Sequence, residues 1–178
     1  MRKDLCVLWE PDADSAARLE ELARAASGSA FLCTAFHSHI TLGCYLDIQE
    51  ETLAAYMQAF AKQISPFPLA FEEIGLLTPT VAACFPACVG GLRHHHQAFH
   101  QRYDEYADRW TSLSGGLYTP HVSLYTGPGE VDADALRRLS RAFAPFCGTA
   151  RVLALSWIKG EEDYEILLRV PLGEEERA

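Results

Sequence analysis

Apolar and polar positions along the chain fall into short runs whose period changes repeatedly. Leu5-Cys6-Val7-Leu8-Trp9 is a continuous apolar run stopped by Glu10 and Pro11, the pattern of a buried strand. Asp12 and Asp14 suit a helix start. Ala16, Leu19, Leu22, Ala23 and Ala26 then recur at helical spacing until Gly28. An extended stretch follows from about Phe31 to Leu46. Leu53, Tyr56, Met57, Phe60 and Ile64 predict a second amphipathic helix closed by Pro66. Two strand-like runs, Phe67–Leu77 and Thr80–Cys88, precede a third helix. Its stripe of Leu92, His96, Phe99, Tyr103, Tyr106 and Trp110 is expected to run on toward Gly115-Gly116. A strand over Thr119–Thr126, a helix capped by Asp132 or Asp134, and a hairpin of Arg151–Ile158 with Tyr164–Val170 complete the pattern.

The two halves repeat one another. His39-Ile40-Thr41-Leu42 is followed by a helix with Ala59-Phe60-Ala61, then Pro66-Phe67 and a strand. His121-Val122-Ser123-Leu124 is followed by a helix with Ala142-Phe143-Ala144, then Pro145-Phe146 and a strand. The expected architecture is therefore α+β, a single bilobal domain over 1–178. Duplicated β-α-β-α-β-β units, about 1–78 and 79–172, form two pseudo-symmetric lobes. Each lobe has an antiparallel sheet and outer helices, and a central cleft lies between them. Two copies of this length are a duplication and not a solenoid.

Composition narrows the function. The 178 residues are 49 % hydrophobic and 22 % charged, ordinary for a folded domain. No apolar run is long enough to span a bilayer. The run after Met1 is too short for a signal peptide, which makes a cytoplasmic location the default expectation. A net charge of -9 without any basic run argues against gripping a long nucleic acid, since that grip comes from Lys and Arg. A small phosphorylated partner needs only a few local donors. The six cysteines, Cys6, Cys33, Cys44, Cys84, Cys88 and Cys147, include no Cys-x-x-Cys pair. They read as buried reduced thiols, any disulfide pairing being illegible.

The chemistry concentrates in the repeated motifs. Alternate side chains of a strand share one face, so His39 and Thr41 point together, as do His121 and Ser123, with apolar residues behind. Two copies meeting across a pseudo-two-fold axis supply two imidazoles and two hydroxyls to one space. One neutral imidazole can take a proton from a nucleophile and one protonated imidazole can give a proton to a leaving oxygen. The hydroxyls can hold the non-bridging oxygens of a phosphodiester. No metal or other cofactor is needed.

These motifs, with Thr119-Pro120 leading into the second, resemble the paired signature of the 2H phosphoesterase superfamily. The opening Val7-Leu8-Trp9-Glu10-Pro11 resembles the small cyclic nucleotide phosphodiesterases. The order of elements is similar to that of the bacterial 2′-5′ RNA ligases. The resemblance implies His39 and His121 as acid and base, and Thr41 and Ser123 as phosphate ligands. It also implies cleavage of 2′,3′-cyclic phosphates, related cyclic phosphates such as the ADP-ribose 1″,2″ type, or 2′-5′ linkages. Its partners would be small nucleotides, with RNA termini a less favoured class at this charge. His37-Ser38 stands before the first motif where relatives often carry proline.

Trp9 and Tyr125 are secondary candidates for contacting a base, with core packing the competing role for both. His37 is expected to line the cleft beside His39, and Lys159 to sit on a solvated turn. Two other function classes compete. One is a metal hydrolase using His37, His39 and the run His94-His95-His96 with His100, although neither a His-Glu-x-x-His pattern nor a carboxylate cluster accompanies them. A partly exposed polar helix face is the expected place for that run. The other is a nucleotide-binding module without chemistry.

Overall fold

The structure, a computed structural model, describes residues 4–28, 37–87, 89–126, 129–158 and 164–173. The elements run β1 (Asp4–Pro11), α1 (Ala13–Ser27), β2 (Ile40–Tyr45), α2 (Glu50–Ala61), β3 (Phe67–Thr78), β4 (Val81–Ala87), α3 (Gly90–Phe99), β5 (Val122–Thr126), α4 (Ala133–Ala142), β6 (Phe146–Ile158) and β7 (Tyr164–Pro171). Local chemistry sets several boundaries. The Asp12 carboxylate accepts the Ser15 N–H at 2.9 Å and starts α1. Gly28, at φ +59°, ends α1 by returning its N–H to the Arg24 carbonyl. Asp132 caps α4 through the Ala135 N–H at 2.6 Å.

The third helix is shorter than its aromatic stripe predicts. It ends at Phe99, and His100 turns inward with Nε2 3.0 Å from the Leu42 carbonyl and Nδ1 2.8 Å from an Asp104 carboxylate oxygen. Tyr103 then adopts φ +69°, a left-handed conformation through which a helix does not continue. Tyr106 and Trp110 are consequently exposed rather than seated on a helix stripe.

All seven strands are antiparallel neighbours in one sheet ordered β2-β1-β6-β3-β4-β5, with β7 also paired to β6. The first copy is thus β-α-β-α-β and ends with β3. The second carries the additional β7, for which the first has no equivalent among the described residues. The two halves do not keep separate sheets, because β3 and β6 pair directly from Phe67–Ala150 to Phe71–Phe146. Those two end pairs exchange when each residue is replaced by its equivalent in the other half, Phe67 matching Phe146. The pseudo-two-fold axis therefore passes by the central pair, Leu69 and Gly148.

The helices cross between the halves. α1 packs on α4 and β5 of the second half. Arg138 of α4 donates to the Ala25 and Ala26 carbonyls at the end of α1 (3.0 and 2.7 Å). In return Phe99 of α3 packs against Tyr56 and Phe60 of α2, each ring pair 4.8 Å apart. The helix packing therefore crosses between the sequence halves and ties them into one body. All four helices contribute to one core against a single sheet face, with Leu5, Val7, Trp9, Ile40, Leu42, Val122 and Leu124 below them. The opposite face carries a smaller cluster, Cys6, Leu8 and Ala154, flanked by Cys44, Ile158 and Ile166.

Contrary to the expectation of reduced thiols throughout, two of the cysteines are paired. Cys6 and Cys44 are direct cross-strand partners with Cα atoms 4.3 Å apart, and they form a disulfide. A sequence separation of 38 hides this register. Cys84 is a buried free thiol, pushed up to about 12 by burial, and Cys147 is free and exposed. Cys33 and Cys88 lie outside the described residues.

At the axis, β6 and α1 meet without room for a side chain. A Cβ on Gly148 would stand 1.9 Å from Ser15 Oγ and 2.9 Å from Ser15 Cβ, and Ser15 is buried. Gly148→Ala should therefore destabilise by about 1–3 kcal/mol through overpacking. Adding Ser15→Gly should recover much of that loss. Denaturant midpoints of the two single variants and the pair check this, and additive losses would contradict it.

Candidate active site

The sheet register brings the motif residues to the face opposite the helices. Thr41 pairs with Leu8, Leu8 with Ala154, and Ala154 with Arg169, so their side chains form one row across four strands. In the second half Ser123 pairs with Ala83 and Ala83 with Gly75. The rows are equivalent, and so are two β-bulges beside them, at Val7/Leu8 and at Ala82/Ala83. Bulges re-aim neighbouring side chains and recur beside functional sites. Here they separate the face bearing Thr41 and Ser123 from the core-facing residues that follow.

His39 and His121 each stand one residue before their strand. Their side chains are fixed in the same way. His39 Nδ1–H donates to the His37 carbonyl at 2.8 Å, and His121 Nδ1–H donates to the Thr119 carbonyl at 2.7 Å. This bond to the residue two positions back selects the tautomer and leaves Nε2 to face a reactant. His39, Thr41 and His121 are half-buried and Ser123 is exposed. The His39 pKa is lowered to about 4, by burial first and then by the charges of His37 and His121, against the His37 carbonyl and Glu10. The His121 pKa is also lowered by burial, against its bond to the Thr119 carbonyl. The two rings are thus electrostatically coupled. The Tyr118 hydroxyl, on the loop leading to His121, donates to the Thr41 carbonyl at 3.1 Å and ties the two motifs together.

The surroundings of the two imidazoles differ. Beside His39, the His37 ring stacks at 5.3 Å between centroids and its Nε2 lies 2.6 Å from Glu10 Oε1. Arg169 Nε reaches both Glu10 oxygens, at 3.0 and 2.8 Å. Glu10 is depressed below its ordinary value: burial works against that, and the contacts with His37 and Arg169 outweigh it. At the position equivalent to Glu10 the second half carries Phe85, whose ring is 6.5 Å from that of His121. His37 therefore stands beside His39. Glu10, Phe85, Tyr118 and Arg169 escaped the sequence reading. Glu10 looks like the end of an apolar strand, and only alternation with Leu8 hints at its face.

Trp9 does not open onto this face. It is fully buried on the helix side, edge-on to Phe67 at 5.1 Å and tilted against His95 at 5.8 Å. Its cross-strand partner is Ile40, itself a core residue. Its Nε1 has no hydrogen-bond partner among the described residues. Tyr125 is half-buried and packs against the main core, the bulge at Ala82/Ala83 intervening between it and Ser123. Both residues therefore follow the packing alternative. Lys159 and the turn Gly160–Asp163 lie outside the described residues.

The histidine run is not the polar surface expected of it. His94 is exposed, but His96 and His100 are buried. His96 Nε2–H donates to the Thr111 carbonyl at 2.6 Å and its ring stacks on Tyr118 at 3.7 Å. Burial lowers its pKa to about 4. These contacts tie α3 to the loop before His121. No group of three or more His, Cys, Asp or Glu residues among the described residues is arranged to hold a metal ion. No helix among them is long and apolar enough to cross a membrane.

Comparison with known proteins follows the same lines. A structure of TT0787 from Thermus thermophilus is similar at 18 % identity and a TM-score of 0.69, covering 98 % of this chain and 100 % of that one. Escherichia coli LigT complexed with NADP+ and LigT complexed with 3′-AMP are each similar at 16 % identity and a TM-score of 0.61, again with 98 % and 100 % covered. No curated protein matches the sequence. The family model of the 2′-5′ RNA ligase superfamily matches residues 9–162, a span that holds both motifs. With that match, and with the fold of LigT and TT0787 around two equivalent His-x-Thr/Ser pairs, the chain belongs to the 2′-5′ RNA ligase superfamily of 2H phosphoesterases.

Proposed function

We propose that this protein hydrolyses cyclic or 2′-linked phosphodiesters of small nucleotides by paired histidine acid–base catalysis, without a metal. The observation that carries the reading is the matched fixation of His39 and His121, each through Nδ1–H to the carbonyl two residues back, with Thr41 and Ser123 on equivalent rows. On a 2′,3′-cyclic phosphate, one neutral imidazole takes a proton from water as the water oxygen bonds to phosphorus. The bond from phosphorus to one ribose oxygen breaks, and the other, protonated imidazole gives that oxygen its proton. The product is a phosphomonoester, and exchange with solvent restores both rings. Thr41 and Ser123 donate hydrogen bonds to the non-bridging oxygens as charge builds there. Solved LigT complexes with NADP+, 3′-AMP and ATP support a small nucleotide as the partner.

The two depressed pKa values give a pH signature. The base must be neutral and the acid protonated. The base limb of the profile therefore falls off below a pKa near 4 if His39 is the base, and the acid limb above a value under 6.5 if His121 is the acid. Initial-rate kcat/KM, which reports the free enzyme, should peak between about pH 4 and pH 6.5. Turnover of the four 2′,3′-cyclic nucleotides and of 2′-5′ dinucleotides in excess EDTA tests the reading. An acidic optimum with EDTA-resistant turnover is expected. Loss of activity in EDTA with recovery on adding zinc, or tight binding of all these compounds without turnover, would overturn it.

A further inference from the structure

The site is symmetric in its motifs and asymmetric in what stands behind them. Behind His39 a chain of polar contacts runs from Arg169 of β7, through the Glu10 carboxylate of β1, to the His37 ring stacked on His39. Glu10 and His37 are nearly withdrawn from solvent, their side chains 12 % and 17 % exposed. Behind His121 the equivalent position is Phe85, and β7, which supplies Arg169, has no partner in the first half among the described residues. Duplication alone produces neither feature.

We infer that Glu10 and His37, anchored by Arg169, are positioning residues for His39 that make it the proton acceptor and leave His121 as the proton donor. Glu10 holds the His37 ring by its Nε2, and His37 in turn presents its carbonyl to His39 Nδ1–H, so the acceptor that fixes His39 is itself fixed. A positive charge on the stacked His37 ring also disfavours a second proton on His39. The charged or titrating groups that face His39 among the described residues are His37 on its own segment, Glu10 on β1 and His121 before β5, with Arg169 on β7 behind Glu10. Among these side chains only Glu10 acts in the opposite direction on His39, and its charge is shared with Arg169 and His37. An apolar neighbour such as Phe85 offers His121 no comparable charge.

The assignment of acid and base rests on the phosphodiesterase reading, whereas the positioning role does not, and the test separates them. Histidine ring-proton resonances are assigned with His39→Ala and His121→Ala and titrated in the wild type and in His37→Gln, a variant that keeps the backbone carbonyl. The expected result is that His39 titrates about one pH unit higher in His37→Gln, with His121 moved much less. An unmoved His39 in a variant with wild-type melting temperature would overturn the positioning role, whatever the turnover. Glu10→Gln provides a second reading: its effect on the His39 titration should change when His37→Gln is already present, because only the direct Glu10 charge is then removed, and full additivity would contradict action through His37. For the roles, His39→Ala and His121→Ala are compared on a cyclic nucleotide and on a nucleotide nitrophenyl diester, whose leaving group needs no proton. The His121→Ala deficit should shrink by at least about 10-fold, within the contribution of one positioned acid, while the His39→Ala deficit persists. The reverse pattern would overturn the assignment. Deficits absent in both variants would instead reject the phosphodiesterase reading and leave the titration result standing.

Discussion

Replacing either His39 or His121 by alanine is expected to lower kcat by about 10²–10⁴-fold, the contribution of one positioned acid or base. On the proposed reading Thr41 and Ser123 hold the phosphate and the imidazoles do not, so KM should move far less. The two losses should not multiply. On the proposed reading both rings serve the same displacement at phosphorus, and residues that act as a unit are strongly non-additive. A double variant only slightly slower than the worse single variant is the expected outcome. Neither change should cost much stability, since both rings are half-buried at strand starts and each is fixed through a local carbonyl. Single-turnover rates beside thermal melts check the point. A variant that melts normally and turns over at the wild-type rate would remove its histidine from the mechanism.

Trp9→Ala is expected to act on stability instead. Trp9 is fully buried between Phe67 and His95, and truncating such a side chain costs about 3–5 kcal/mol. A loss of that size is a large part of the ~5–15 kcal/mol that holds a domain together, so the milder Trp9→Phe is measured beside it. If Trp9 served as a base-stacking platform, Trp9→Phe would raise KM for purine substrates before it lowered the melting temperature. The core position predicts the opposite order: a lowered melting temperature with KM unchanged. Denaturation curves and nucleotide KM values for the same preparations decide between them.

The comparison of Trp9 with Thr41 illustrates what a linear pattern can hold. Both lie in strands with alternating faces, and alternation sets Thr41 and Ser123 apart from their core neighbours Leu42 and Leu124. Alternation does not say which face is covered by helices. In this chain α1 and α3 each cross to the other half, so the covered face is set by elements distant in sequence. Trp9 falls under the helices and Glu10, its neighbour, falls on the open face. The same limit explains Tyr125, whose position beyond a bulge cannot be counted from residue spacing, and Cys6–Cys44, whose pairing needs the β1–β2 register.

What the sequence by itself determined is the pair of repeated motifs and the local element boundaries. The two His-x-Thr/Ser motifs, the helix caps at Asp12 and Asp132, and the stop at Gly28 are local signals, legible because their causes lie within a few residues. Tertiary structure decided the rest. It fused the halves into one sheet at the Leu69–Gly148 axis, crossed the helices between the sequence halves, buried His96 against the loop before His121 and His100 against β2, and set Glu10, His37 and Arg169 behind one histidine and Phe85 near the other. The physical reason is range. A cap or an alternation is fixed by neighbours along the chain, whereas a register, a crossing or a through-space charge depends on residues brought together only when the whole sheet forms.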